Sequence, residues 1–161
     1  MAYTAEVIRK DKAPNGAGVL TLYQDGEAIR SWDCITGGSQ LDPHAYGGVT
    51  PPIFWEMIEP IQMRTLTESN QRLEMARIVP CYAEEAAQYP KRTFDRLEND
   101  PFMIHVAGRS TGCIAVLSSV WRDCVSDLNS AWQANKGSLV VHVIEESTIL
   151  AMQQEEPVYG C

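Results

Sequence analysis

A histidine and a cysteine near each other in the chain have the residue types of a thiol nucleophile and its base. His105 ends an apolar stretch at 102–106, and Cys113 opens a second one at 113–117. Stretches of this length and composition are typical of short buried strands. If the two strands pair across the short loop between them, the imidazole and the thiol face each other at its mouth. An imidazole that takes the proton of a thiol creates a nucleophilic thiolate, so the pattern predicts Cys113 as nucleophile and His105 as base.

The loop between the two strands is polar and carries the residues expected to bind substrate. Gly112 lets a substrate carbonyl approach the main chain beside the nucleophile, where backbone N–H groups would stabilise an oxyanion. Gly108 permits a sharp turn. Ser110 and Thr111 offer hydroxyl groups to the loop or to a substrate, and Arg109 suits a substrate carboxylate.

Each of these residues also has an ordinary structural interpretation, which stays open at this point. A cysteine on an apolar strand is by default an inert packing thiol, and a single histidine is by default held within the core. We expect His142 to be structural and His44 to be exposed. The other thiols have no histidine or glycine turn beside them and are expected to pack or to lie at the surface: Cys34, Cys81, Cys124 and Cys161.

Composition limits the classes of partner. A chain of 161 residues fits one domain with a substantial core. Its net charge of −8 argues against a nucleic-acid partner, and its apolar runs are too short for a transmembrane segment. The five cysteines are odd in number and form no C-x-x-C pair, so neither a disulfide framework nor a zinc ribbon is expected. We expect no cofactor and no metal. No secretory signal peptide is visible at the start.

The first half of the chain has the patterning of strands. Residues 3–9 are predicted to form an edge strand. Alternating residues at 19–23 and 28–33 flank Asp25 and Gly26, a pair that favours a tight hairpin turn. Ser39 to Pro52 is predicted as a surface loop, and two further strand segments, interrupted at Pro60, are predicted at 54–59 and 61–64.

The second half begins with a segment that has no clear periodicity. We predict that 66–100 is an insertion of strand and short helix that covers the site as a lid. Ser118 or Ser119 is expected to cap a helix over 120–135, and Gly137 to end it. A central strand is predicted at 139–144, where both faces are apolar.

Taken together, these elements predict one domain over 1–161, mainly β with α (α+β). The stretch 146–161 is predicted to be an acidic tail, within which a turn of helix fits 147–152.

The order of residues around the cysteine resembles the signature of the L,D-transpeptidase (YkuD-like) family. In that family a first histidine is followed, after a loop, by Ser/Thr-His-Gly-Cys and an apolar residue. Here His105 is followed by Ser110, Thr111, Gly112, Cys113 and Ile114. The N-terminal hairpin and the Thr-Pro turn at 50–54 are similar to the opening of those domains.

The resemblance implies a β-sandwich or partly closed sheet with one main helix after the catalytic cysteine. It also implies a cysteine acyl-transferase or peptidase acting on peptidoglycan stem peptides, by L,D-carboxypeptidation, D-amino-acid exchange or L,D-transpeptidation. In the family the catalytic histidine is oriented by a backbone carbonyl rather than by an acidic side chain.

The chain departs from the family pattern in three ways, and the short loop together with Ser-x-Gly-Cys-Ile looks more like the toxin-type branch delivered by type VI secretion, or like phage-encoded relatives. The histidine-to-cysteine loop is short, Thr111 stands where a second histidine is usual, and Ala115 stands where asparagine or arginine is common. This branch implies synthesis in the cytoplasm, action in the periplasm or cell wall after delivery, and partners such as an immunity protein, a secretion apparatus or phage tail proteins. The alternative is an inactive structural or cell-wall-binding component of a phage tail or secretion device, which Thr111 and Ala115 favour.

Overall fold

The computed structural model describes residues 2–10, 13–38, 40–66, 70–94, 102–107 and 113–155. In these ranges nine strands join into one sheet, with three α-helices around it. The strands are β1 (Tyr3–Arg9), β2 (Ala17–Gln24), β3 (Glu27–Ile35), β4 (Phe54–Met57), β5 (Gln62–Thr65), β6 (Arg72–Pro80), β7 (Met103–Val106), β8 (Ile114–Val116) and β9 (Leu139–Glu145). The helices are α1 (Ala83–Ala86), α2 (Trp121–Ala134) and α3 (Glu146–Glu155).

The sheet closes on itself. Its strand order is β4-β9-β1-β2-β3-β8-β7-β6-β5, and β4 also pairs with β6, which completes a ring and leaves β5 outside it. The pairs β1–β9 and β7–β8 are parallel, and the other pairs of the sheet are antiparallel. The predicted class, mainly β with a few helices, is confirmed. The strands form a closed ring, and the finer description as a sandwich or partly closed sheet stays a prediction.

The N-terminal hairpin is confirmed in strand positions and in turn geometry. β2 and β3 pair antiparallel around Asp25 and Gly26, whose φ angles of 50° and 85° are those of a tight two-residue turn. The prediction that β1 is an edge strand was wrong. β1 lies between β2 and β9. Its parallel partner β9 comes from the far end of the chain, so the local sequence pattern could not predict the pairing.

The predicted break at Pro60 is confirmed, since β4 and β5 lie on either side of it. Within 66–100, the described residues contain β6 and α1. β6 is built into the ring: it pairs with β7 along one side, and with β5 and then β4 along the other.

One hydrophobic core joins the strands to α2. The alternating residues of β1, β9 and β4 that face inward belong to the same cluster as one face of α2. The buried residues of that helix are Trp121, Cys124, Val125, Leu128 and Ala131, as the helical spacing predicts.

The ends of α2 match the sequence in part. The helix follows a 3₁₀ turn, Ser118–Val120, and neither the start of that turn nor the start of α2 has a side-chain cap bond. The predicted serine cap was therefore wrong, because both serines lie within the turn itself. Gly137 has a φ of +92° and donates its N–H to the carbonyl of Trp132 at 2.8 Å, so it ends the helix as predicted.

The C-terminal elements also follow the prediction. β9 lies between β4 and β1 and is central in the ring. α3 covers the predicted helical turn at 147–152 and extends beyond it. Among the helices described, none combines the length and hydropathy that a membrane-spanning segment needs.

Candidate active site

The two strands that carry the predicted nucleophile and base are direct neighbours in the ring. β7 and β8 run parallel, with His105 opposite Ala115 and Ile104 opposite Ile114. Because side chains alternate along a strand, Cys113, which immediately precedes β8, lies on the same face as His105. From strand spacing and rise, their Cα atoms are about 8 Å apart. The two strands pair as predicted, but they run parallel, so His105 lies opposite Ala115 and does not face Cys113 at the mouth of the loop. The imidazole and the thiol are diagonal neighbours, and their catalytic roles stay predictions.

The imidazole of His105 is held in one tautomer by the main chain. Its Nδ1 lies 2.6 Å from the carbonyl oxygen of Val106. A carbonyl oxygen only accepts hydrogen bonds, so Nδ1 carries the proton and Nε2 keeps the basic lone pair. Burial lowers the pKa of His105 below its ordinary value, and the bond to Val106 acts in the opposite direction. At neutral pH this histidine is therefore neutral, with its basic lone pair on Nε2.

Cys113 lies in an apolar setting. It forms a small buried cluster with Met75 and Met103, and Leu66 and Leu73 pack against that cluster. Met75 is also the cross-strand partner of His105 on the other side of β7. The cysteine is 7% exposed and the histidine 5%. An anionic sulfur in such surroundings needs a nearby positive charge.

A buried arginine that the sequence analysis missed contacts the loop at residues 40–53. The guanidinium of Arg92 donates to the carbonyl oxygens of Pro43 at 2.9 Å, Val49 at 2.9 Å and Gly48 at 3.1 Å. Its Cζ lies 5.1 Å from the centre of the Phe102 ring, at the start of β7. Nothing in the local sequence distinguishes Arg92 from an arginine on a solvated surface. Only the folded chain brings it to the loop.

The loop that Arg92 contacts, residues 40–53, has a second buried arginine beneath it. Nη1 of Arg9 donates to the carbonyl oxygen of Thr50 at 2.6 Å and to the hydroxyl of Thr36 at 3.3 Å. Its Nη2 forms a 2.9 Å ion pair with Glu145. The hydrogen bond from Arg9 therefore holds the predicted surface loop in place, and Thr50 within the loop is fully buried.

The other described thiols are held in the protonated form. Burial, reinforced by Asp33, raises the pKa of Cys34 to about 12. Burial is also the main reason that the pKa values of Cys124 and Cys81 are raised. These environments agree with the prediction that they are packing or surface thiols. Cys161 lies outside the described residues.

The two remaining histidines have structural surroundings. His142 stacks on Phe54 with ring centres 3.7 Å apart, and burial lowers the pKa of His142. His44 is exposed, as predicted, and stacks on Tyr89 at 4.5 Å. Neither histidine lies on β7 or β8.

The predicted substrate-binding residues lie outside the described part of the chain. They are Gly108, Arg109, Ser110, Thr111 and Gly112. Their proposed roles as oxyanion and substrate contacts stay predictions.

No protein-family model and no curated protein sequence matches the chain. Among solved structures, it is similar to the crystal structure of Mycobacterium tuberculosis L,D-transpeptidase 1, with a TM-score of 0.48 and 12% sequence identity. The similarity covers 88% of this chain and 62% of that one. The chain thus spans about three fifths of the length of that protein, and a similarity of this size assigns no family.

Proposed function

We propose that the protein is a cysteine acyl-transferase or peptidase that acts on peptidoglycan stem peptides. One observation carries the chemistry: His105 is fixed with Nε2 basic, on the sheet face that it shares with Cys113. The substrate class rests on the resemblance of His105 and the stretch 110–114 to the L,D-transpeptidase signature.

The reaction that we propose has two halves. Nε2 of His105 accepts the proton of the Cys113 thiol as sulfur bonds to the carbonyl carbon before a D-residue. The resulting oxyanion receives hydrogen bonds from backbone N–H groups near Gly112. When the C–N bond breaks, the same proton passes to the leaving amine and a thioester remains. Water or a second amine then attacks the thioester, the C–S bond breaks, and a proton returns to the sulfur.

The acceptor decides the product. Water gives L,D-carboxypeptidation, a free D-amino acid gives exchange, and the side-chain amine of another stem peptide gives L,D-transpeptidation. We propose that the protein acts at the cell wall after delivery by a secretion apparatus or a phage particle. An immunity protein or phage tail proteins would then be its partners.

Product analysis on defined muropeptides tests the proposal. Tetrapeptide and pentapeptide stems would be incubated with the protein, with or without a free D-amino acid, and analysed by mass spectrometry. We expect loss or exchange of the terminal D-residue, or a cross-linked dimer. Cys113→Ser should abolish the product, and the matched thiol control Cys81→Ser should retain it. If no product depends on Cys113 under any of these conditions, the enzymatic proposal fails.

The low exposure of both residues favours a second candidate function, a structural or cell-wall-binding component without turnover. A sulfur that is 7% exposed and packed among methionines is also what an inert core thiol would show. Binding of the protein to purified sacculi without any release of stem-peptide fragments would favour this candidate. Sedimentation with sacculi, followed by analysis of the supernatant, separates the two functions.

A further inference from the structure

Two arginines share one buried carboxylate on the part of the sheet that carries the candidate active site. The carboxylate belongs to Glu59, which is 8% exposed. Arg77 donates to its Oε2 from the backbone N–H at 3.0 Å and to its Oε1 from Nη2 at 2.9 Å, and the Nε of Arg77 lies 3.1 and 3.2 Å from the two oxygens. Nη1 of Arg64 donates to the same Oε1. Since Arg77 engages both oxygens, Arg64 shares its counter-charge with a second guanidinium.

The strand register places Arg77 on the same face of the sheet as Cys113 and His105. Arg77 is the cross-strand partner of Met103, and partners of this kind project to one face. Met103 packs with Cys113 and Met75 in one buried cluster. His105 follows Met103 by two residues and is opposite Met75, so it shares that face. From two strand spacings, the Cα atoms of Arg77 and Cys113 are about 10 Å apart.

Arg64 lies on this face as well, on the strand that the ring leaves outside. It is opposite Leu73, which packs against the buried cluster of the candidate site. Its guanidinium reaches Glu59, so the side chain runs along β5 past Gln62, the partner of Met75. The side chain is 32% exposed. Of its donors, only Nη1 has a hydrogen-bond acceptor among the described residues, which leaves the edge formed by Nε and Nη2 to face a ligand.

We propose that Arg64, held in place by Glu59 and Arg77, binds a carboxylate of the stem peptide whose carbonyl Cys113 attacks. This assignment rests on the proposed function for the identity of the peptide. One edge of a guanidinium binds a carboxylate through two parallel N–H···O bonds. Three residues of an extended peptide span about 10 Å, so one stem peptide reaches both groups.

The charge of the whole protein gives this cation a purpose. With a net charge of −8, the chain repels an anionic peptide at long range. A local positive charge beside the nucleophile would therefore fix the orientation in which such a peptide binds. A purely structural role, in which the ion pairs only attach β5 to β6, makes no use of the Nε–Nη2 edge of Arg64.

Binding of stem peptides to protein that cannot turn them over tests the assignment. Isothermal titration calorimetry would compare a tetrapeptide stem with free carboxylates and the same stem with those groups amidated, both on Cys113→Ser protein. We expect the acid to bind about tenfold or more tightly than the amide, the effect of one charge-assisted pair of hydrogen bonds. Arg64→Met in the same background should remove most of this preference.

Arg122→Met is the matched control. It also removes one arginine from an ion pair with a residue of β6, Glu74, and it changes the net charge equally. Glu74 precedes Met75 directly, so it projects to the opposite face of the strand, and the acid preference should be retained. Melting temperatures of both variants would reveal a purely structural role, which lowers stability without altering the preference. No acid preference in the starting protein, an unchanged preference in Arg64→Met, or an equal loss in Arg122→Met overturns the assignment.

Glu59→Gln provides a second comparison if Arg64→Met does not fold. It removes the negative charge that balances Arg64 and retains an amide oxygen as acceptor, so the preference for the acid stem should increase. An equal or smaller preference contradicts the assignment. The proposed function can fail separately. Arg64-dependent binding of the acid stem without turnover by the parent protein refutes the activity alone, whereas Cys113-dependent turnover without that binding preference refutes the assignment alone.

Discussion

Replacement of Gly48 by alanine should destabilise the protein by disrupting the loop that holds Arg92. A Cβ atom added at Gly48 would lie 2.0 Å from the carbonyl oxygen of Asp42 and 3.0 Å from that of Ala45. Both neighbours are backbone atoms, so no side-chain rotation relieves the clash. The loop has to open, and the carbonyl of Gly48, which accepts a hydrogen bond from Arg92 at 3.1 Å, moves with it.

The magnitude follows from two contributions. Overpacking typically costs about 1–3 kcal/mol, and backbone neighbours place this case at the upper end. The weakened hydrogen bond to a charged donor adds about 1.5–3 kcal/mol. We therefore expect Gly48→Ala to lower the free energy of unfolding by about 4–6 kcal/mol. Gly26→Ala is the control: it has a φ of +85° but nothing within 4 Å of the added Cβ, so only left-handed strain of about 1–2 kcal/mol applies.

Chemical denaturation of the two variants beside the parent protein measures both values. A difference of about 2 kcal/mol or more corresponds to a separation of about 4–8 °C in melting temperature for a chain of this size. Equal destabilisation of the two variants would refute the steric argument. It would mean that the loop adjusts around the new methyl group without disturbing the bonds of Arg92.

Three further predictions concern titration and the core. Burial lowers the pKa of His105 below 6.5, so the unfolded chain binds that proton more tightly than the folded one. The free energy of unfolding should therefore fall as the pH decreases below 6.5. Denaturation curves at several pH values should show a smaller pH dependence in His105→Gln. Leu128→Ala, at a fully buried position, should cost about 2–5 kcal/mol, whereas Leu150→Ala, at a position 51% exposed, should change stability by no more than about 0.5 kcal/mol in the same assay. Burial raises the pKa of Cys34 from 9.0 to about 12, so its thiolate fraction at pH 8 is about a thousandfold below that of an ordinary thiol. Peptide mapping after iodoacetamide treatment should therefore show negligible labelling of Cys34 in the folded protein. Rapid labelling would contradict its burial.

Local patterns predicted the elements whose causes are local. The turn at Asp25 and Gly26 follows from two positions that tolerate a positive φ, and the buried face of α2 follows from helical spacing. Gly137 ends that helix because its own conformation permits the closing bond to Trp132.

Elements whose place in the fold depends on partners far away in the sequence were not predicted correctly. β1 is central because β9, more than a hundred residues later, pairs with it. β6 faces different partners along its length, and its buried and partly exposed residues do not alternate regularly. The alternation of apolar and polar residues was therefore too weak to identify it as a strand of the ring. The serines before α2 were expected to cap it, but the chain forms a 3₁₀ turn there instead.

The same distinction between local patterns and distant contacts applies to the candidate site. His105 and Cys113 were identified because they flank one short loop, but their strands pair in parallel, which the local pattern did not predict. Arg92 contacts residues more than forty positions earlier in the chain, and no spacing rule connects it to them. A buried cation held by the carbonyls of a distant loop is a property of the folded chain, which only the tertiary structure reveals.

Burial explains why a histidine alone would be a poor activator at this site. It disfavours the imidazolium of His105 and the thiolate of Cys113 together, because proton transfer between them creates two charges where none existed.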